Sequence, residues 1–157
     1  MSVNTPANRE VFETLAAVFA RLPHCKTLGF EYVGLDGVKP TLKVEWRPDL
    51  VGNPATGVVH GGVITSLVDT TSAIAVSARL AELETIATLD LRIDYLKAAT
   101  PGRAIFCTAE CYRLAGQVGF TRAVCYHDDA NDPIAHGVAT FMRESTPLPI
   151  WRDGGTK

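Results

Sequence analysis

The sequence predicts an α+β domain in which a long helix of small residues lies against an antiparallel sheet. Three observations predict it. Hydrophobic patterns run in the order helix, two strands, long helix, four strands. The strand-like segments follow one another through short turns, which makes neighbours antiparallel. On one parity, the last three strands offer only small side chains: Cys107, Ala109 and Cys111, then Gly119, Thr121, Ala123 and Cys125, then Ala135, Gly137 and Ala139. Small residues on adjacent strands leave a trough in which a helix of Ala, Ser, Thr and Val packs closely.

Thr5-Pro6 reads as an N-cap followed by proline at the first helical position. Phe12, Leu15, Phe19 and Leu22 then keep helical spacing, giving a helix over about 6–22 that stops before Pro23. Leu28 to Leu35 reads as a strand and Asp36-Gly37 as a turn. Leu42, Val44 and Trp46 alternate with Lys43, Glu45 and Arg47, completing a hairpin. Pro48 to Val59 is a loop rich in Gly, Pro and Asn, and the long helix follows from about Gly61 to Leu80. Leu89, Leu91, Ile93 and Tyr95 alternate with Asp90, Arg92 and Asp94. Turn signals at Thr100-Pro101-Gly102, Ala115-Gly116 and Asp128 to Pro133 separate three further strands. The tail from about Thr146 reads as loosely ordered, and residues 1–157 as a single domain.

Composition narrows the function. A net charge of −2 with no basic run gives no case for nucleic acid or an anionic membrane surface. The apolar stretch from Val63 to Leu80 carries Asp69 near its middle, so it reads as a buried helix and not a membrane span. The N-terminus has no basic n-region, and Arg9, Glu10 and Glu13 interrupt any apolar run. Cys25, Cys107, Cys111 and Cys125 form no CxxC pair, and they read as reduced, buried thiols of a cytoplasmic protein.

Two features suggest chemistry. His60-Gly61-Gly62 sits where the loop meets the long helix. Backbone N–H groups of a first helical turn lack internal partners, and glycines let a ligand come close to them. Such a turn can stabilise an oxyanion, or it can simply be a flexible helix start. Asp69 is the lone acid of the long helix. Burial would suit it to act as a base or nucleophile; alternatively, Thr65, Thr70 or Thr71 would satisfy it with a hydroxyl. Gly61 and Asp69 are eight residues apart, roughly 12 Å at ~1.5 Å per residue. Reacting groups must approach within about 3.5 Å. If both residues act on one carbonyl, two antiparallel copies of the helix must supply one each, in at least a dimer.

The run Gly52-Asn53-Pro54-Ala55-Thr56-Gly57-Val58-Val59-His60-Gly61-Gly62, followed by Asp69, resembles the signature of the hotdog thioesterases of the phenylacetyl-CoA pathway type (PaaI-like). The flanks Leu22-Pro23, Leu28-Gly29 and Thr88 to Leu96 match as well, so the resemblance spans about residues 20–145. It implies a six-stranded antiparallel sheet wrapped around the long helix, dimers that join their sheets, and often tetramers. It also implies hydrolysis of an acyl-CoA thioester without a metal or other cofactor. By position, the Gly61 N–H would polarise the thioester carbonyl while His60 shapes the turn. Asp69 of a second chain would attack or activate water, Asn53 would position the water or carbonyl, and Thr88 would orient the attacking group. Gly62 and Thr65 would border the substrate. Two positions depart from the pattern: Asn53 precedes His60 by seven residues instead of six, and Thr88 stands in place of Ser. As a residue before Pro54, Asn53 also reads as an ordinary turn former.

His127-Asp128-Asp129 and His136 lack a third convergent ligand for a metal. Pro133-Ile134-Ala135-His136-Gly137 resembles a fragment of hotdog enoyl-CoA hydratases, but here a strand and not a helix follows it. A hydratase and a non-catalytic acyl-CoA-binding module are the rivals to hydrolysis. Arg79, Arg92, Lys97, Arg113 and Arg122 are unranked candidates for coenzyme A phosphates.

Overall fold

The computed structural model describes residues 6–80 and 84–147. Thr5 and most of the C-terminal tail fall outside these residues. Helix α1 (Pro6–Phe19) leads into a second, short helix, α2 (Pro23–Leu28). The helix expected over about 6–22 is therefore present but ends at Phe19, and an unexpected second helix begins at Pro23. Proline stops one helix, and it also occupies the first turn of the next, where its missing N–H costs nothing. Gly29, in the left-handed conformation at φ 76°, ends α2, so the first strand starts after Leu28.

Strands β1 (Phe30–Asp36) and β2 (Lys39–Val44) form the hairpin. A short 3-10 turn at Pro48–Leu50 leads to a small ladder of β3 (Val51–Asn53) and β4 (Val58–Val59). Trp46, expected in the strand, instead turns its Nε1–H to the Gly57 carbonyl at 2.9 Å and pins this loop. Helix α3 (Gly61–Ser77) follows, ending three residues before Leu80. Then come β5 (Glu84–Tyr95), β6 (Ile105–Ala115), β7 (Val118–Tyr126) and β8 (Ala135–Pro147). They complete a six-stranded sheet, with order β1-β2-β6-β7-β8-β5 and every pair antiparallel. The sheet curls about α3, as the hotdog resemblance implies.

The trough is present. Cys107, Ala109, Cys111, Gly119, Thr121, Ala123, Cys125, Ala135, Gly137 and Ala139 are all buried beneath α3. A Cβ on Gly137 would lie 2.5 Å from Val68 Cγ1, and one on Gly119 would lie 2.9 Å from Val76 Cγ2. The two glycines thus set how closely the helix approaches the sheet. Val68 and Val76 are eight residues apart on one helix face, so contacts at both fix α3 along its length.

Register shifts at Val33 in β1, Leu89 in β5 and Tyr112 in β6 interrupt the strand alternation. Each leaves a large apolar side chain exposed, with relative exposures of 51%, 53% and 50%. A bulge adds one residue to one strand and reverses the facing of everything beyond it. The expected alternation of Leu89 with Leu91, Ile93 and Tyr95 therefore fails at Leu89.

Candidate active site

The β3–β4 ladder delivers the chain to α3. The His60 N–H donates to the Leu50 carbonyl at 2.8 Å, and Gly52 lies so close that a Cβ there would stand 2.7 Å from His60 Cα. His60 is the N-cap of α3: its Nδ1 accepts the Gly62 N–H at 2.9 Å, and its carbonyl accepts the Val63 N–H at 2.9 Å. The imidazole nitrogen nearest the turn is thus occupied in capping. Among the described residues the Gly61 N–H has no acceptor, so one polarised donor remains open at the positive end of a 17-residue helix.

Gly61, Thr65 and Asp69 follow one another at four-residue spacing along one side of α3, and β5 borders that side. At the far end, the Thr88 hydroxyl donates to Asp69 Oδ1 at 2.7 Å. The partner of Asp69 thus comes from a strand and not from Thr65, Thr70 or Thr71 on its own helix. Those three are engaged elsewhere: Thr65 with the Gly61 carbonyl (3.1 Å), Thr71 with the Leu67 carbonyl (2.6 Å) and Thr70 with Cys25 Sγ (3.6 Å). Simple alternation would place Thr88 on the outer face with Asp90 and Arg92. The bulge at Leu89 turns it inward, opposite buried Phe141 in register, and so to Asp69. Asp69 itself is half-buried, since β5 is an edge strand that encloses it on one side only.

At the near end of the same side is Tyr95, a residue not singled out from the sequence. Its hydroxyl donates to the Gly61 carbonyl at 2.8 Å and meets Thr65 Oγ1 at 2.8 Å. Its inward parity on β5 was a signal for it, but the distance to Gly61 in sequence concealed the contact. Asn53 is exposed, and its Oδ1 accepts the Ala55 N–H at 3.1 Å while its carbonyl accepts the N–H groups of Thr56 and Gly57. This is the geometry of a turn former, and it leaves the side-chain NH2 for other contacts.

A cleft of about 390 Å³ opens on the opposite side of the turn, lined by Leu28, Leu50, Val63, His60, His24 and Ser66 among others. Ser66 is not poised as a nucleophile. Its hydroxyl donates to the Gly62 carbonyl at 2.9 Å, so in the 3.2 Å contact with His24 the ring Nε2 is the donor. His127 is structural as well: Nε2 accepts the Thr100 N–H at 2.9 Å, and Nδ1 donates to the Ala104 carbonyl at 2.7 Å. Among the described residues no group of three or more His, Cys, Asp or Glu side chains is placed to hold a metal ion. No described helix is long and apolar enough to cross a membrane. Arg92, Lys97 and Arg122 are paired with Asp94, Asp132 and Glu110, and Arg79 donates to the Cys111 carbonyl.

A sheet curled about a helix whose glycine N-terminus and mid-helix acid share one side has a counterpart among known families. The model of the Thioesterase superfamily matches residues 56–134, which begin in the loop before His60 and include α3. The chain belongs to the thioesterase superfamily. Within it, the medium/long-chain acyl-CoA thioesterase YigI of Escherichia coli (strain K12) is 32% identical over 136 residues, covering 77% of this chain and 85% of that protein. The crystal structure of a Pseudomonas aeruginosa protein is 43% identical, with a TM-score of 0.77, covering 85% of this chain and 99% of that one. The Escherichia coli PaaI protein from the phenylacetic acid degradation operon is 18% identical, with a TM-score of 0.75, covering 88% and 96%. At that identity it speaks for the shared hotdog fold. The chain is a thioesterase of hotdog fold, and hence a thioester hydrolase.

Proposed function

We propose that this thioesterase hydrolyses acyl-CoA esters at a site shared between two copies of the chain. The observation that carries the reading is the strip Gly61–Thr65–Asp69, with an open N–H at one end and a hydroxyl-oriented carboxylate at the other. The Gly61 N–H polarises the thioester carbonyl and holds the oxyanion as it forms. Gly62 and Thr65 border the carbonyl's approach, and His60 keeps the turn in shape. Asp69 takes a proton from water, whose oxygen adds to the carbonyl carbon; the C–S bond then breaks and the thiolate leaves, to be protonated as free CoA. Asp69 attacking directly gives an anhydride that water then cleaves, with the same products. Thr88 orients the carboxylate, and the free amide NH2 of Asn53 reaches the water or the carbonyl.

The two ends lie roughly 12 Å apart along one rigid helix, so they cannot meet at one carbonyl. Two copies related by a two-fold axis, with their α3 helices antiparallel, bring Gly61 of one against Asp69 of the other, twice over. The open edge of β5, which carries Thr88 and Tyr95, supports this pairing. Such dimers pair further into tetramers. Leu28, Leu50 and Val63 give the cleft beside the turn an apolar wall for an acyl chain. The name of the YigI relative supports a medium or long chain.

The test is thiol release from a panel of acyl-CoAs. Asp69→Asn should lower kcat by ~10²-fold or more, the scale of losing a general base. Mixing inactive Asp69→Asn with inactive Gly61→Val should restore activity in mixed dimers. No recovery despite demonstrated subunit exchange refutes the shared site. Binding without turnover, or hydration of an enoyl-CoA in place of hydrolysis, refutes the activity.

A further inference from the structure

We propose that Tyr95 and Thr65 form a positioning clamp that fixes the direction of the Gly61 N–H. The proposal rests on the use of that N–H described under the proposed function. Two adjacent glycines at an exposed helix start have wide conformational freedom, which is a poor basis for a donor that must be preorganised. The chain removes that freedom peptide by peptide. The 61–62 peptide is held at both ends: His60 Nδ1 takes its N–H at 2.9 Å, while Tyr95 Oη (2.8 Å) and Thr65 Oγ1 (3.1 Å) hold its carbonyl. The 60–61 peptide is held by its carbonyl, which accepts the Val63 N–H at 2.9 Å. Its own N–H is trans to that carbonyl and is left pointing out of the turn.

A count of protons separates this role from a direct one on substrate. The triangle of Tyr95 Oη, Thr65 Oγ1 and the Gly61 carbonyl has three contacts, at 2.8, 2.8 and 3.1 Å, and two hydroxyl protons. With both hydroxyls turned to the Gly61 carbonyl, both protons are used within it. Tyr95 therefore has none to offer a leaving group or an oxyanion. Its ring also closes over Gly61: a Cβ there would lie 3.2 Å from Oη and 3.4 Å from Cζ. Tyr95 is 51% exposed, so burial accounts for little of what the side chain does, and the hydroxyl contacts remain. These contacts join the last residue of β5 to the first residue of α3, so the edge strand that orients Asp69 through Thr88 also sets the donor.

The test uses the full chain and two readouts. Tyr95→Phe keeps the ring over Gly61 and removes the hydroxyl; Thr65→Val removes the other hydroxyl at equal volume, and Thr65→Ser retains it. Each loss should lower kcat on the order of 10-fold, the scale of a misaimed catalytic group, with KM within about 2-fold of wild type. Thr65→Ser should restore most of the rate lost in Thr65→Val. The backbone order parameter of the Gly61 amide should fall from the rigid level of roughly 0.85 in both hydroxyl-loss variants. An unchanged order parameter overturns the clamp, as does a rate within 2-fold of an active wild type or a loss confined to KM. If the wild-type protein hydrolyses no acyl-CoA, the proposed function fails, and the order parameter alone still decides the clamp. Should Tyr95→Phe not fold, the Thr65 pair carries the same comparison.

Discussion

Gly137→Ala probes the spacing between helix and sheet on which the site depends. The new Cβ would lie 2.5 Å from Val68 Cγ1 and 3.3 Å from Ile93 Cδ1, where nothing can be accommodated without movement. Val68 is fully buried and β-branched, so it cannot swing aside cheaply. Overpacking of this kind costs about 1–3 kcal/mol. Replacing glycine returns about 0.5–1 kcal/mol of unfolded-state entropy, because Gly137 does not have a left-handed backbone. The net loss should be up to about 2.5 kcal/mol, or a Tm lower by up to roughly 10 °C for a chain of this length. Val68→Ala alone, which deletes two buried methyl groups, should cost about 2 kcal/mol. In the double variant the nearest remaining Val68 atom is Cβ, at 3.6 Å, an ordinary contact, so the new methyl group fills part of the space vacated. Denaturant unfolding of all four proteins should give a favourable coupling of at least ~1 kcal/mol. Additive losses would mean that α3 is not held at this height by Gly137. Val68 precedes Asp69, so Gly137→Ala should also weaken the contact with Thr88 and reduce hydrolysis, while Val68→Ala in the same background recovers it.

The turn offers a second prediction. Gly52→Ala places a Cβ 2.7 Å from His60 Cα, a backbone atom, so the loop has to move away from the N-cap. Hydrolysis should fall at least ~10-fold in a protein that still folds, and an unaltered kcat would contradict the account of how His60 is placed. The third concerns Tyr32, whose hydroxyl is buried with no hydrogen-bond partner among the described residues. Burial, and then the nearby Glu13, push its pKa up to about 12, against the opposing effect of Arg9. The unfolded chain therefore ionises this phenol first as pH rises from about 10, and the stability it confers is lost between about pH 10 and 12. Tyr32→Phe should leave stability at pH 7 unchanged or raise it by up to ~1 kcal/mol, and should flatten the loss above pH 10. A clear destabilisation at pH 7 would reveal a partner for that hydroxyl.

Much of this fold was legible because its signals are local and repeated. The small-residue parity of β6, β7 and β8 stated in advance where α3 would lie, and α3 itself began at the glycine pair as expected. Bulges were not legible. Leu89, Val33 and Tyr112 look like regular members of an alternation, and an inserted residue has no compositional mark. That loss matters most at Thr88, whose contact with Asp69 contradicts simple alternation; only the resemblance to a family placed it near the carboxylate. Helix α2 was missed because Pro23 reads equally as an end and a beginning. Tyr95 lies 34 residues from the carbonyl it holds, and nothing within a local window reports such a contact.

The four cysteines are all buried and free, and burial raises the pKa of the Cys111 thiol against the opposing effect of Arg79. Neutral, enclosed sulfur is a poor nucleophile. An enzyme that releases a thiol at every turnover is thereby protected from its own product, which finds no accessible sulfur with which to form a mixed disulfide. The same seclusion keeps the native protein silent towards thiol-specific dyes, so colour that appears during hydrolysis reports product alone, and a burst from the protein itself would signal unfolding.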